Sequence, residues 1–186
     1  MKKLIFIFLL FISFSNCKSS KRAKNKRDST TKIIENHIDK ENISLKKNAN
    51  NINIDKSLNT KTENIINYAK QFEGVRYKWG GTTKNGMDCS GLVYESFRAY
   101  NILLPRISRD MAKQGKKISL KTVNEGDLLF FKTGNRRNSI NHVGLVVQSN
   151  EGVIKFIHAT TSKGVTISSL TENYWNSTFS EARRIL

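Results

Sequence analysis

The sequence predicts an α+β domain in which N-terminal helices pack on an antiparallel β-sheet. Apolar residues recur every three or four positions in the first half of the domain, which is the period of an amphipathic helix. After Gly126 the pattern changes to short apolar runs separated by glycine and polar residues, which is typical of strands. Because helices come first and strands follow, we expect one sheet covered by helices rather than an alternating α/β plan.

The first helix is expected to begin near Asn59. It places Ile65, Ala69 and Phe72 on one face and ends before Gly74. A glycine-rich loop follows, with four glycines between residues 74 and 86.

Asp88 predicts the start of a second helix because aspartate is a favoured N-cap residue. Cys89 would then be the first helical residue. A third, short helix is expected at residues 108–115, with Ser108 as its cap and Gly115 as its stop. The second helix carries an apolar stripe of Leu92, Val93, Phe97 and Tyr100.

Five strands are expected in the second half of the domain. The segments that predict them are DLLFF (127–131), HVGLVVQ (142–148), VIKFIHA (153–159), GVTIS (164–168) and EARRIL (181–186).

The N-terminus has the pattern of an export signal. Lys2 and Lys3 precede an apolar run over residues 4–14, and Cys17 follows a few small or polar residues later. A cysteine at this place resembles the lipobox of bacterial lipoproteins, so we expect residues 1–17 to be a signal peptide that ends at an acylated Cys17. An ordinary cleaved signal, an uncleaved anchor and a disulfide between Cys17 and Cys89 remain as alternatives.

Residues 18–58 are expected to be a disordered basic tether, followed by one folded domain over residues 59–186. The segment is rich in Lys, Asn, Ser and Asp and has no sustained apolar period, so it cannot bury enough surface to order itself. It would span roughly 35 Å as a coil.

The formal net charge is +17, and a basic tail precedes a moderately basic domain. Residues 18–60 hold 11 basic and 5 acidic side chains, whereas residues 61–186 hold 19 and 10. A basic excess indicates a polyanionic partner, and the export signal argues against nucleic acid.

Cys89 is a candidate nucleophile because the N–H groups at a helix start stabilise a thiolate. A buried free cysteine is the simpler alternative, and only a base elsewhere in the chain would decide between them. His37 lies in the tether, which leaves His142 and His158.

The two domain histidines lie on consecutive predicted strands, so the connecting loop decides whether they share a face. A three-residue loop, residues 150–152 with Gly152 in the left-handed conformation, places His142 opposite Thr160. His158 is then a diagonal neighbour of His142 on the same face, roughly 7–8 Å away. A two-residue loop would place the histidines on opposite faces. The sequence therefore favours a cysteine with one histidine as base and another to orient it.

Residues 60–186 resemble the NlpC/P60 family of peptidoglycan cysteine peptidases. This resemblance implies a compact papain-like α+β fold with Cys89 as nucleophile, His142 as base and His158 as the polar third member. The segments that carry it are GVRYKWGGTTKNGMDCSGLV (74–93), EGDLLFF (125–131), NHVGLVV (141–147) and FIHA (156–159).

The same resemblance implies that Tyr77 helps to bind the developing oxyanion and that Asp88 and Ser90 contact the substrate peptide. It implies a D,L-endopeptidase that cleaves stem peptides next to D-glutamate or diaminopimelate, without a metal or cofactor. We expect a monomeric lipoprotein of the bacterial envelope, anchored to a membrane and facing the periplasm. A non-catalytic peptidoglycan-binding lipoprotein, or an amidase or acyltransferase on another target, are the alternatives. Trp79 and Trp175 are expected to be core or cleft-lining residues rather than a sugar platform.

Overall fold

A computed structural model describes residues 56–134, 138–150 and 152–186 of the chain. The expected signal peptide, Cys17 and the tether as far as residue 55 lie outside the described residues. Within the described ranges, no helix combines the length and the apolar character that crossing a bilayer requires.

The helices precede most of the sheet, as the sequence predicts. Helix α1 covers residues 56–70, so residues 56–58 are helical although the sequence assigned them to the tether. Helix α2 is Cys89–Arg98, the short α3 is Ser108–Met111, and α4 is Asn173–Thr178. The cap of α3 is Ile107 and not Ser108, which lies inside the first turn and is buried.

A six-stranded antiparallel sheet forms the centre of the domain, with the order β3-β8-β4-β5-β6-β7. The glycine-rich loop carries a separate two-stranded pair. In chain order the strands are β1 Thr82–Thr83, β2 Gly86–Met87, β3 Lys116–Ile118, β4 Leu128–Phe131, β5 His142–Asn150, β6 Val153–Thr160, β7 Gly164–Ser169 and β8 Phe179–Arg184.

Both faces of the central sheet are covered, as the alternation along β4 illustrates. Leu128 and Phe130 belong to the larger cluster, which the helices α1 and α2 form with one face of the sheet. Leu129 and Phe131 belong to the smaller cluster on the other face, together with Trp175 of α4. All four side chains of β4 are fully buried. The α+β plan with helices on an antiparallel sheet is thus confirmed.

Candidate active site

Cys89 is the first residue of α2, where the sequence places it. The side chain of Asp88 caps the helix by accepting a hydrogen bond from the backbone N–H of Gly91. Cys89 is a free thiol and is buried. The backbone N–H groups of Val143, Ser90 and Cys89 itself are directed at its sulfur and would stabilise a negative charge there.

Burial outweighs these N–H groups in the unliganded protein. It raises the pKa of the Cys89 thiol to about 11, and the nearby negative charge of Asp88 acts in the same direction. The helix position therefore does not by itself produce a thiolate at neutral pH, contrary to the expectation from the sequence. Activation of this thiol requires a base that accepts its proton.

His142 and His158 form a buried pair that can supply that base. The Nε2 atom of His142 lies 3.0 Å from the Nδ1 atom of His158, so one ring donates a hydrogen bond to the other. Burial lowers the pKa of His142 to about 4, although the charge of Asp88 opposes this, and burial lowers the pKa of His158 to about 3. Both imidazoles are consequently neutral at pH 7, which is the state in which His142 can accept a proton.

The histidines share a sheet face, but by a different route from the one expected. Asn150 pairs directly with Val153, so the loop contains two residues and not three. A register shift between Val146 and Gln148 adds one residue to β5, and Val146 pairs with Phe156 beyond it. This β-bulge restores the parity that the loop lacks, and the same register places His142 opposite Thr160. Gly152 has the left-handed conformation that the sequence predicts, with φ of +78°.

The cysteine and the histidines approach each other at the end of the sheet where β5 begins. Cys89 belongs to the cluster between the helices and one face, whereas His142 and His158 contact Phe131 and Phe156 on the other face. The two sides meet because His142 is the first residue of β5 and the amide of its neighbour Val143 reaches the Cys89 sulfur.

Asp88 holds the segments around the nucleophile together. Its Oδ1 accepts hydrogen bonds from the N–H of Gly91 at 2.7 Å and the hydroxyl of Ser90 at 3.1 Å, and its Oδ2 accepts one from the N–H of Gly80 at 2.7 Å. The guanidinium of Arg106 donates to both oxygens, at 2.9 and 2.8 Å. Burial acts to raise the pKa of Asp88, but the hydrogen bonds from Arg106, Gly91 and Gly80 hold it below its usual value.

Arg106 is the residue of this site that the sequence reasoning missed. Besides Asp88, it donates to the Ser90 hydroxyl at 2.9 Å and to the Gly81 carbonyl at 3.3 Å. The only sequence signal was its place directly after Pro105, in a region with no obvious acidic partner. Asp88 and Ser90 therefore have protein partners that the family resemblance did not imply, and their contact with substrate stays a prediction.

Tyr77 lies close to the nucleophile, where the resemblance places it. It forms an isolated bridge with Met87, two residues before Cys89. Burial raises the pKa of its hydroxyl, and the charges of Cys89 and Asp88 act in the same direction. The hydroxyl therefore keeps its proton and is available as a hydrogen-bond donor.

The two tryptophans have different surroundings. Trp175 is buried and stacks on His142 with ring centroids 5.2 Å apart and an angle of 23° between the ring planes. Trp79 is 87% exposed, so the expectation of a core position is wrong for this residue. Trp79 lies in a tight turn, which the hydrogen bond from the N–H of Gly81 to the carbonyl of Lys78 closes. Its place in this turn explains the exposure.

In the part of the chain that the structure describes, no group of three or more His, Cys, Asp or Glu side chains is arranged to hold a metal ion. The site contains a thiol, a pair of imidazoles and hydrogen-bond donors around them, which are the groups that nucleophilic catalysis uses.

The fold and this arrangement have counterparts among known proteins. The chain is 35% identical over 177 residues to the murein DD-endopeptidase MepS/murein LD-carboxypeptidase of Escherichia coli K12, which covers 94% of this chain and 87% of that protein. It is 39% identical over 123 residues to the gamma-D-glutamyl-L-lysine dipeptidyl-peptidase of Bacillus subtilis, covering 66% of this chain and 40% of that protein. A crystal structure of an NlpC/P60 family protein from Bacillus cereus superposes with a TM-score of 0.61 at 28% identity, covering 67% of this chain and 40% of that one.

The sequence model of the NlpC/P60 family matches residues 74–184, which include Cys89, both histidines of the site and the whole central sheet. The chain belongs to the NlpC/P60 family.

Proposed function

We propose that this protein is a peptidoglycan hydrolase, a cysteine peptidase that cleaves amide bonds in the stem peptides of the bacterial cell wall. The observation that carries the proposal is the approach of Cys89 to the start of β5, where the amide of Val143 reaches its sulfur and the preceding residue, His142, pairs with His158. The two relatives named above support the substrate class, since their names specify murein and a peptide bond to D-glutamate.

Cys89 is the nucleophile and His142 the general base in this proposal. The thiol proton passes to the free Nδ1 of His142 as the sulfur forms a bond to the scissile carbonyl carbon. The N–H groups at the start of α2 and the hydroxyl of Tyr77 donate to the resulting oxyanion. His142 then returns its proton to the leaving amine as the C–N bond breaks, which leaves a thioester on Cys89.

Water completes the cycle. It attacks the thioester while His142 takes one of its protons, and the sulfur leaves and recovers a proton from His142. His158 orients the base throughout, since its Nδ1 is the hydrogen-bond partner of the His142 Nε2. Asp88 and Ser90 line the substrate side of the nucleophile, with Asp88 fixed by Arg106.

The proposed specificity is that of a D,L-endopeptidase, with cleavage next to D-glutamate or diaminopimelate. The two named relatives favour different bonds: one name gives DD-endopeptidase and LD-carboxypeptidase activity, the other a γ-D-glutamyl bond. Digestion of purified sacculi followed by mass spectrometry separates these outcomes. D,L-cleavage shortens the stems, whereas D,D-cleavage converts cross-linked dimers into intact monomers.

We also propose that the protein is a monomer held at a membrane of the envelope by a lipid on Cys17, with the domain facing the periplasm. The supporting observation is the position of Cys17 after the apolar run. Mass analysis of the mature N-terminus should find a diacyl or triacyl cysteine. An unmodified Cys17 would refute the anchor without affecting the catalytic proposal.

An enzyme releases fragments from sacculi as the wild-type protein and stops doing so in Cys89→Ala, whereas a non-catalytic binder releases no fragments in either form. We expect this variant to fold, to bind sacculi and to release no fragments. Ser96→Ala is the matched control, because Ser96 lies on the same helix, is fully buried and donates its hydroxyl to the carbonyl of Leu92. That control should retain wild-type activity. Fragment release by Cys89→Ala at the wild-type rate would exclude the proposed mechanism.

A further inference from the structure

The buried pair of histidines contains a polar atom with no partner. Within the described structure, the Nε2 atom of His158 is the one buried side-chain nitrogen or oxygen without a hydrogen bond. His158 itself is fully buried. Such an atom is costly, so native proteins rarely retain one without a reason.

The proposed mechanism determines which form this nitrogen has. For His142 to accept the thiol proton at Nδ1, its own proton must be on Nε2, which then donates to Nδ1 of His158. His158 must in turn carry its proton on Nε2. The unpartnered atom is therefore an N–H group in the productive state and a bare lone pair in the opposite tautomer.

Aromatic rings are the neighbours that can distinguish these two forms. The ring centroids of Trp175 and His158 are 4.6 Å apart, with an angle of 82° between the ring planes. The ring centroids of Phe156 and His158 are 4.8 Å apart, with an angle of 42°. An N–H group is attracted to the electron-rich face of an aromatic ring, whereas a nitrogen lone pair is repelled by it. Trp175 and His158 are nearly perpendicular, so one of these rings presents its edge to the face of the other, which is the arrangement that an N–H···ring contact needs.

The same indole also restrains the base. Trp175 stacks on His142 with an interplanar angle of 23°, while the two imidazoles are themselves at 86°. One side chain thus contacts both members of the pair, parallel to one and perpendicular to the other. None of the other aromatic contacts among the described residues combines these two relations with the histidines.

We propose that Trp175 is a positioning residue that selects the productive tautomer of the histidine pair. It stacks on His142 and receives the Nε2–H of His158 on its ring. This inference rests on the proposed roles of His142 and His158. Trp175 does not touch the substrate in this proposal, and it acts only through the two imidazoles.

The test is a ¹⁵N NMR spectrum of the histidine side chains in the full chain, purified in detergent micelles. In the wild-type protein, both His142 and His158 should carry their proton on Nε2. A wild-type spectrum with the His158 proton on Nδ1 would overturn the proposal, and this readout needs no variant to fold.

Trp175→Leu should mix the tautomers of both histidines and reduce kcat roughly tenfold, with KM changed less than about twofold. Trp175→Phe keeps an aromatic face and should retain the wild-type tautomers and most of the activity. Phe179→Leu is the packing control, because Phe179 lies in the same cluster and contacts Phe131. If Trp175→Leu keeps the wild-type tautomers and loses no more kcat than Phe179→Leu, the inference is wrong.

Failure of this inference is distinguishable from failure of the proposed function. Activity of Cys89→Ala would refute the catalytic mechanism whatever the tautomers are. Wild-type tautomers and no excess loss of kcat in Trp175→Leu, with Cys89→Ala inactive, would refute only the role of Trp175.

Discussion

Replacing Arg106 with alanine should destabilise the domain by about 2 kcal/mol. Removing one partner of a buried ion pair typically costs about 3–5 kcal/mol. Two features reduce this figure here. The Arg106 side chain is 32% exposed, and Asp88 keeps its hydrogen bonds from Gly80 and Gly91. The carboxylate that remains is consequently buried but not left without donors.

Urea denaturation followed by tryptophan fluorescence measures this loss directly. Trp175 is buried and changes environment on unfolding, whereas Trp79 is already 87% exposed in the folded state. A loss of about 2 kcal/mol corresponds to roughly 8 °C in Tm for a domain of this size. Arg106→Lys should fall between wild type and Arg106→Ala, since lysine keeps the charge but cannot donate to both carboxylate oxygens in the same way.

Arg98→Ala is the matched control for Arg106→Ala. Arg98 also pairs with a carboxylate, that of Glu95 at 2.7 Å, but its side chain is 54% exposed. Exposed pairs on one helix contribute little, so this variant should unfold at the wild-type urea concentration. Equal unfolding midpoints for Arg98→Ala and Arg106→Ala would refute the reasoning. The loss in Arg106→Ala should shrink as the pH falls through the acidic range, because the lowered pKa of Asp88 stabilises the wild-type protein only while this carboxylate is charged.

Three further predictions concern the centre of the site. Gly91→Ala should lower the free energy of unfolding by about 1–3 kcal/mol or prevent folding, because a Cβ there would lie 2.0 Å from the Gly81 carbonyl oxygen. A stable, active variant would contradict this close packing. Alkylation of Cys89 by iodoacetamide should accelerate about tenfold per pH unit from pH 7 to 10, since the thiol pKa is raised to about 11; a plateau below pH 8 would instead indicate a thiolate in the free protein. On the acidic side, kcat/KM should be lost only as the pH falls through about 4, where His142 becomes protonated. His158→Gln should keep measurable activity, because the glutamine amide can still accept the hydrogen bond from His142.

The parts of the site that are set by short-range signals were predictable. Asp88 at the head of an apolar helical stripe fixes the place of Cys89, because capping depends on residues three positions apart. The short apolar runs at β5 and β6, separated by a turn with Gly152, likewise predicted two histidines on strands that pair with each other. These features depend on local chemistry, which a sequence displays directly.

The features that were missed depend on contacts between distant segments. Arg106 meets Asp88 across 18 positions, and nothing near Arg106 in the sequence indicates that partner. The bulge at Val147 leaves no signature either, because Val147 is an apolar residue in an apolar strand. The loop was therefore predicted to contain three residues, whereas it contains two. The histidines were correctly predicted to share a face, but the bulge in β5 brings this about and not the loop length. The pKa of Cys89 was misjudged because burial depends on the packed core and not on the helix position alone.

The bulge separates the β5–β6 turn from the alignment of the histidines. Register between His142 and His158 is fixed by the pairs Leu145–Ile157 and Val146–Phe156, and the extra residue lies between these pairs and the turn. Residues added at Gly152 would be accommodated beyond the bulge, at the opposite end of β5 from His142. The tip of this hairpin is therefore a permissive insertion site, where a fluorescent label or an affinity peptide could follow the enzyme in the cell wall without disturbing its chemistry.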